Sequence, residues 1–362
     1  MGVSGDMANR DETIQRLLDA GSAREALLAD YSGATPRCGI CRSRCRLADG
    51  RTGRCGTVTN WNGRLYTLIY GHISSAAPDP IEKKPVYHFK PGSRCFSVGS
   101  IGCNFKCSFC QNAEIAEAEP LAGIGRSVRF TAPQDLIQAA LASQCTGIAW
   151  TYNEPAIWLN YTLDCAIAAR ESGLYTVYVT NGYATLEHID LIGPYLDVYR
   201  VDIKSMDDSF YREFVGIPAI AGVLESASRA KNRWGIHVEC VTNIIPGWND
   251  SADNIERTAR WICSELGPTT PWHVTRFFPH NRLNNVPPTP LTTLENAAQT
   301  ARDAGLKFVY LGNVQSHGGS DTRCPKCGKV AVRRDGYNAT VTPLVTADGR
   351  CADDGENLEI RV

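Results

Sequence analysis

Cys95-Phe96-Ser97-Val98-Gly99 leads, within four residues, into Cys103-Asn-Phe-Lys-Cys107-Ser-Phe-Cys110. The first five residues form an apolar run that reads as a short buried strand. The cysteines that follow have C-x3-C-x2-C spacing, which offers three thiolates from one loop and no fourth. Zinc ordinarily takes four ligands, often as two C-x2-C knuckles, and electron-transfer iron–sulfur clusters ordinarily take four cysteines. Three thiolates can hold three irons of a [4Fe-4S] cluster and leave the fourth iron open to a small ligand. Half of a zinc site, or a chance grouping, fits the spacing alone equally well. Phe109, just before the last cysteine, on its own suggests plain core packing.

Working outward, apolar strands are expected at 94–99, 147–152, 174–180, 197–203, 236–245, 272–278 and 307–312, separated by helix-like stretches. Thr131 with Pro133 marks a helix start, and Gly173, Gly235, Gly267 and Gly305 mark helix ends. Strands alternating with helices of this length imply parallel βαβ units. The predicted fold is therefore α/β: a partial (β/α) TIM-type barrel of about six or seven parallel strands. A doubly wound sheet competes with it, since periodicity does not separate the two. Three regions are expected: 1–93, an N-terminal helical and cysteine/hairpin extension; 94–314, the partial barrel; and 315–362, a polar, cysteine-containing, zinc-ribbon-like tail. A leading helix is expected over 1–30 from Ile14, Leu17, Leu18, Leu27 and Leu28. A hairpin is expected where Asn62-Gly63 separates Cys55–Trp61 from Leu65–Tyr70.

Function in a parallel barrel sits at the carboxyl ends of the strands. Those ends read Trp150-Thr-Tyr-Asn-Glu-Pro155, Val179-Thr-Asn-Gly182, Val201-Asp-Ile-Lys204, Val241-Thr-Asn-Ile-Ile-Pro-Gly-Trp-Asn-Asp250 and Arg276-Phe-Phe-Pro-His280. One such end is an ordinary solvated loop entry. Five polar ends on one rim make a site. The 362 residues carry a formal net charge of -1 and 43% hydrophobic residues. That balance favours neither nucleic acid nor an anionic membrane, and no apolar run of about 18 residues suggests a membrane span. Fifteen cysteines without an export signal point to metal ligands and buried thiols, and to the cytoplasm.

Taken together, the triad loop, Tyr-Asn-Glu-Pro, Thr-Asn-Gly, Asp-Ile-Lys and Pro-Gly-Trp-Asn-Asp resemble the pyruvate formate-lyase activating enzyme branch of the radical S-adenosylmethionine (SAM) superfamily. The likeness is greatest to the AmmeMemoRadiSam-system radical SAM enzymes, whose signature Asp79-Pro-Ile-Glu-Lys-Lys-Pro-Val-Tyr-His-Phe89 resembles. The resemblance runs from about Cys38 to the C-terminus. It implies a [4Fe-4S] cluster on Cys103, Cys107 and Cys110, with SAM completing the open iron and Phe109 near the adenine. It also implies SAM contacts from Asn153 and Glu154 (amino group), Thr180 and Asn181 (methionine or ribose), and Asp202 and Lys204. A carboxylate suits an ammonium and a lysine suits a carboxylate. Asp202 and Lys204 lie two apart on one strand face, so a mutual ion pair is the simpler alternative for both.

The implied function is reductive cleavage of SAM to a carbon radical acting on a small-molecule substrate, with a reduced flavodoxin- or ferredoxin-type electron donor. Three alternatives stand beside it: transfer of the 3-amino-3-carboxypropyl group to a thiophilic acceptor such as arsenite, activation of a glycyl-radical enzyme, and a non-enzymatic zinc-binding module. Neutral charge without a Lys/Arg stripe disfavours a nucleic-acid role for such a module.

Two further cysteine sets stand apart. Cys38, Cys41, Cys45 and Cys55 have metal-like spacing and suit a structural zinc, or are reduced buried thiols, or form a disulfide. The related group often carries Cys-Pro-His-x-Cys here, whereas this chain has Cys41-Arg-Ser-Arg-Cys45. In the tail, Cys324, Cys327 and Cys351 lack a fourth thiol. His317, Asp353 or Asp354 replaces it in a zinc site, or the ribbon is decayed, or three thiolates take a thiophilic substrate. Cys145, Cys165, Cys240 and Cys263 read as core residues. His88 and His280 read as pocket residues or hydrogen-bonded structural histidines.

Overall fold

The computed structural model describes residues 3–118, 129–314 and 320–362. Helix α1 (Val3–Asp19) packs Ile14 and Leu17 against Ala23 and Leu68. It ends well before residue 30, because Gly21 takes φ +69° and Leu28 φ +57°, which an α-helix excludes. Leu27 and Leu28 therefore belong to the loop region that follows and not to the helix. Strands β1 (Val58–Trp61) and β2 (Arg64–Thr67) form the expected hairpin. Asn62 and Gly63 both have positive φ, 52° and 79°, as a two-residue primed turn requires.

The main sheet begins with β3 (Ser75–Pro80), which pairs antiparallel with β4 (Arg94–Gly99). Parallel pairing then continues through β5 (Gly147–Trp150), β6 (Tyr175–Thr180), β7 (Val198–Asp202), β8 (His237–Ile244), β9 (Trp272–Arg276) and β10 (Val309–Gly312). All seven expected strands are present. Each neighbours the next in sequence, with no reversal of order. A doubly wound sheet reverses its order at a switch point, so the fold is a partial barrel. The sheet does not close, since β10 and β3 are its two edges. The strands are buried on both faces, as parallel sheets are. Helices α2 (Pro133–Ala142), α3 (Leu159–Glu171), α4 (Leu186–Ile192), α5 (Ala221–Trp234), α6 (Ala252–Trp261) and α7 (Leu291–Asp303) connect them. Pro133 opens α2 at its first turn. Thr185 and Ser251 cap α4 and α6 by accepting the His188 and Asn254 N–H groups, each at 3.2 Å. The tail adds β11 (Thr322–Arg323), β12 (Val330–Asp335) and β13 (Asn338–Val341) as an antiparallel sheet. No helix among the described residues is long and apolar enough to cross a membrane.

Beyond β3, residues 81–90 run back across the face of the sheet that carries the site. The Lys84 carbonyl accepts from Arg200 of β7 (2.7 Å). Glu239 of β8, fully buried, accepts from the Tyr87 and His88 N–H groups (2.8 Å each) and from Nε2 of His237 (3.0 Å) and His273 (2.6 Å). Burial works against this charge, but the hydrogen bonds from His237 and His273 outweigh it and hold the carboxyl well below 4.5. His88 donates Nδ1–H to the Leu358 carbonyl (2.8 Å), so its Nε2 accepts from Tyr310 (2.6 Å). Arg334 of the tail bonds Thr322 (2.8 Å) and the Tyr87 carbonyl (2.6 Å) while stacking over Tyr87. The segment that resembles a family signature is thus the plug of an unclosed barrel, and the tail is tied to it by the same network. His88, placed by the sequence in a pocket or in the core, is structural.

Glu239→Ala leaves two backbone N–H groups and two imidazoles unsatisfied inside the protein, so a loss of about 3 kcal/mol or more is expected in urea unfolding. Glu239→Gln, which keeps one acceptor oxygen, is expected to lose less; an unchanged midpoint for the alanine variant refutes the clamp. Burial pushes His88 and His188 down from 6.5 to about 3. A histidine whose folded value is depressed loses stability as pH falls from its unfolded value toward its folded one. The unfolding free energy is therefore expected to drop below pH 6.5, by about 1.4 kcal/mol per pH unit per histidine, and the urea midpoint with it. Equal midpoints at about pH 7.5 and about pH 5 would contradict these values.

Candidate active site

The carboxyl ends of the strands surround a cavity of about 410 Å³. Cys103, Cys107, Phe109, Cys110, Asn153, Glu154, Thr180, Asn181, Asp202 and Lys204 all line it. Ten residues from four separate stretches of sequence, each nominated from its motif, therefore share one space.

The triad loop is held from three sides. Gly102 has φ +83°, and a side chain there would meet the Cys55 carbonyl and the Thr57 methyl group at 2.6 Å. Asn153 uses both ends of its amide on this loop, accepting from the Ser100 N–H (3.0 Å) and donating to the Gly102 carbonyl (2.9 Å). Lys106 and Ser108 N–H groups bond the Val215 and Phe214 carbonyls at 2.9 and 2.8 Å. The Phe105 N–H faces the Cys103 sulfur at 3.4 Å, and the Asn181 amide lies 3.8 Å from it. Burial pushes all three thiols up, Cys107 to about 11 despite Lys204 beside it. Thiolates here need a cationic partner, and the three cysteines lining this one cavity are the residues that would hold an iron–sulfur core.

Glu154 is 1% exposed. Its carboxylate accepts from Thr180 Oγ1 (2.7 Å), the Asn181 N–H (2.7 Å) and the Ala156 N–H (2.9 Å). Burial dominates these bonds and lifts its carboxyl to about 7. Tyr152, two residues earlier, takes φ +73°, an uncommon conformation for an aromatic residue and one found at functional sites. Asp202 pairs with Lys204 Nζ at 2.9 Å and with Arg200. Burial raises the Asp202 carboxyl, but Arg200 and Lys204 overcome it and the net shift is downward. The mutual pair of Asp202 and Lys204 is thus present, and both residues still line the cavity. Lys204 Nζ also sits 5.7 Å from the centre of the Phe109 ring. Phe109 itself packs on Phe210 at a 5.9 Å centroid separation. Asn249 of the Pro-Gly-Trp-Asn-Asp motif is structural: its amide donates to the Lys204 carbonyl (2.6 Å) and its oxygen accepts from the Ile245 N–H (2.6 Å).

The sequence reading missed Lys84, Arg200 and Tyr337, which also line the cavity. Arg200 carried a usable signal, since Arg200, Asp202 and Lys204 alternate along one strand face. Lys84, 4% exposed and paired with Asp79 at 2.7 Å, reads in sequence as a surface lysine. His280 pairs with Leu283 in an exposed loop and is not among the cavity residues. The outer cysteine sets do not line the cavity either. In the tail, Cys324, Cys327, Cys351 and Asp354 bring their ligand atoms within 4.8 Å of one another, the only such group of Cys, His, Asp and Glu among the described residues. His317 lies outside the described residues.

The sequence profile of the Radical SAM superfamily matches residues 98–262. The uncharacterized protein MJ0808 of Methanocaldococcus jannaschii is 39% identical over 324 residues, covering 90% of this chain and 95% of that protein. The isethionate sulfite-lyase activating enzyme of Oleidesulfovibrio alaskensis is 27% identical over 244 residues, covering 65% of this chain and 72% of that one. A crystal structure of a radical SAM methyltransferase from Sphaerobacter thermophilus aligns with a TM-score of 0.47 at 19% identity, over 62% of this chain and 67% of that chain. With the superfamily profile lying over the triad loop and the rim from β5 to β8, and with a relative matched almost end to end, this chain belongs to the radical SAM superfamily of enzymes.

Proposed function

We propose that Cys103, Cys107 and Cys110 hold a [4Fe-4S] cluster and that the enzyme cleaves SAM reductively to make a carbon radical acting on a small molecule. The observation carrying this reading is the convergence of three thiols with Glu154, Asp202 and Lys204 on one cavity. When bound, the cluster supplies the electron that breaks a carbon–sulfur bond of SAM. Glu154 receives the ammonium of SAM, a cation that offsets the burial lifting its carboxyl. Thr180 and the Asn181 N–H hold Glu154 in place through their hydrogen bonds to it. Lys204 offers its ammonium to the SAM carboxylate by exchanging part of its pairing with Asp202. Phe109 supplies an apolar face for the adenine. Electrons come from a reduced flavodoxin- or ferredoxin-type carrier.

The small-molecule reading rests on the walls. Glu82, Lys83, Lys84 and Tyr87 of the plug, with Tyr337 from the tail, form part of the cavity wall. The names of the activating-enzyme relatives favour activation of another enzyme, but a protein loop would have to enter past these residues. The tail thiols are not among the described residues lining the cavity, which disfavours a thiophilic acceptor such as arsenite. Anaerobic incubation with SAM and a low-potential reductant is expected to release 5'-deoxyadenosine. Release of 5'-methylthioadenosine instead overturns the radical-forming version, and neither product overturns both. Glu154→Gln is expected to weaken SAM binding by about 1.5–3 kcal/mol, roughly ten- to a hundredfold, while bound iron stays unchanged. Equal affinity in the variant removes Glu154 from the SAM site.

The tail tetrad suits zinc. Bonds of about 2.3 Å to sulfur, meeting at the tetrahedral angle, place two sulfurs about 3.8 Å apart. Cys327 and Cys351 sulfurs are 3.8 Å apart, and an Asp354 oxygen is 3.4 Å from the Cys324 sulfur. Asp354 thus takes the place of the missing cysteine. Purified protein is expected to carry about one zinc, lost in Asp354→Ala and kept in Asp354→Cys. Zinc retained in Asp354→Ala rules the aspartate out as a ligand.

A further inference from the structure

Two opposite charges of the plug, Glu82 and Lys84, line the cavity and are left unused by the SAM reading. Glu82 is 1% exposed. One of its carboxyl oxygens accepts from the Gly92 N–H (2.8 Å), and the other is buried with no hydrogen-bond partner among the described residues. Burial pushes this carboxyl up from 4.5. A buried carboxyl oxygen without a donor costs free energy that a fold ordinarily avoids.

Lys84 is as enclosed as Glu82, with its side chain 3% exposed. Its Nζ bonds Asp79 at 2.7 Å, but Lys83 takes the other oxygen of that carboxylate at 2.8 Å. Two lysines thus share one negative charge. Lys83 is the outer of the two, its side chain 47% exposed. Water stabilises that outer ammonium, so the surplus positive charge rests on Lys84. An ammonium has three donors, and Asp79 is the one acceptor that Lys84 Nζ meets among the described residues. The Lys84 carbonyl accepts from Arg200 and fixes this stretch against β7. Tyr152, with its positive φ, sets its ring 5.9 Å from Nζ.

Glu82 and Lys84 lie two residues apart, yet they do not pair with each other: Lys84 pairs with Asp79, and the free Glu82 oxygen has no partner. A ligand that is only anionic would answer Lys84 and leave Glu82 bare. One that brings only a hydroxyl or an amine would answer Glu82 and leave Lys84 in surplus. A molecule with an ammonium and a carboxylate on neighbouring atoms answers both, and it adds no net charge to a desolvated site. The cavity also extends beyond the residues given to SAM. Strands β8, β9 and β10 and their ends contribute Val241, Asn243, Thr275, Gly312 and Asn313 to its lining.

We propose that Glu82 and Lys84 form the substrate subsite of this cavity and that the substrate is an α-amino acid, its ammonium on Glu82 and its carboxylate on Lys84. Its role as substrate rests on the SAM reading above, whereas its binding does not, so the two are measured apart. The full chain, reconstituted anaerobically with ferrous iron and sulfide, is mixed with the common α-amino acids, with and without SAM. Bound molecules are read by saturation-transfer nuclear magnetic resonance. At least one amino acid is expected to take up saturation from the protein. Its N-acetyl and carboxamide derivatives, which each lack one of the two charges, are expected to bind roughly ten- to a hundredfold more weakly. Glu82→Gln keeps an oxygen for the Gly92 N–H, and Lys84→Gln leaves Lys83 on Asp79. Each is expected to lose affinity for the amino acid by a similar factor, with iron content unchanged as the check that it folds. No amino acid bound in either condition, derivatives that bind as tightly as the parent, or folded variants that bind it as tightly as the unaltered chain, overturns the inference and leaves the SAM reading intact. An amino acid that binds as expected to a chain that makes no 5'-deoxyadenosine from SAM counts against the SAM reading and leaves the subsite standing.

Discussion

A buried carboxylate holds this molecule together. Glu239 sits on the cavity-bearing face of an unclosed barrel, where the sheet alone would leave backbone and side-chain polar groups facing an opening. By accepting from two consecutive N–H groups of the Tyr87-His88 segment and from two imidazoles, it stitches the plug to β8 and β9. An ionised group at such depth is stable only when its hydrogen bonds replace those of water, and the four donors around Glu239 do so. The tail then docks on the plug through Arg334, Tyr310 and His88, so barrel, plug and tail share one polar network.

That network reaches the chemistry by a short route. The Lys84 carbonyl bonds Arg200, Arg200 pairs with Asp202, and Asp202 pairs with Lys204 beside Cys107. The polar chain at the cavity floor is thus anchored in the scaffold. Glu154 is positioned differently, by donors on the next strand, and it carries little compensating positive charge. Asp202 is already paired with Arg200 and Lys204, whereas burial lifts the Glu154 carboxyl to about 7.

Much of this was readable in the chain. Seven apolar runs became seven parallel strands because runs of that length between helical stretches have few other ways to bury both faces. The strand-end motifs converged because a parallel sheet delivers every carboxyl end to the same rim. The reading went astray at α1, where leucines continued the helical spacing past Gly21; there the backbone left the helical region and the apolar residues found burial elsewhere. It passed over Lys84, because a lysine next to a lysine looks solvated until Asp79 is folded against it. In the tail the sequence left His317, Asp353 and Asp354 as candidates to stand in for a fourth thiol, and the fold sets Asp354 beside Cys324.

Composition and order along the chain decided the strand and helix sequence, the thiol triad, the turn at Asn62-Gly63 and the residues of the rim. These are local properties: periodicity, spacing and φ preference act over a few residues and survive without knowledge of partners. The folded arrangement alone decided that the sheet stays open, that residues 81–90 fill it, that Asn104 meets Asn181 from a distant strand and that Asp354 joins the three tail cysteines. Each of those depends on groups distant in sequence meeting in a desolvated space, where the strength of a charge or a hydrogen bond is set by surroundings that no local pattern records.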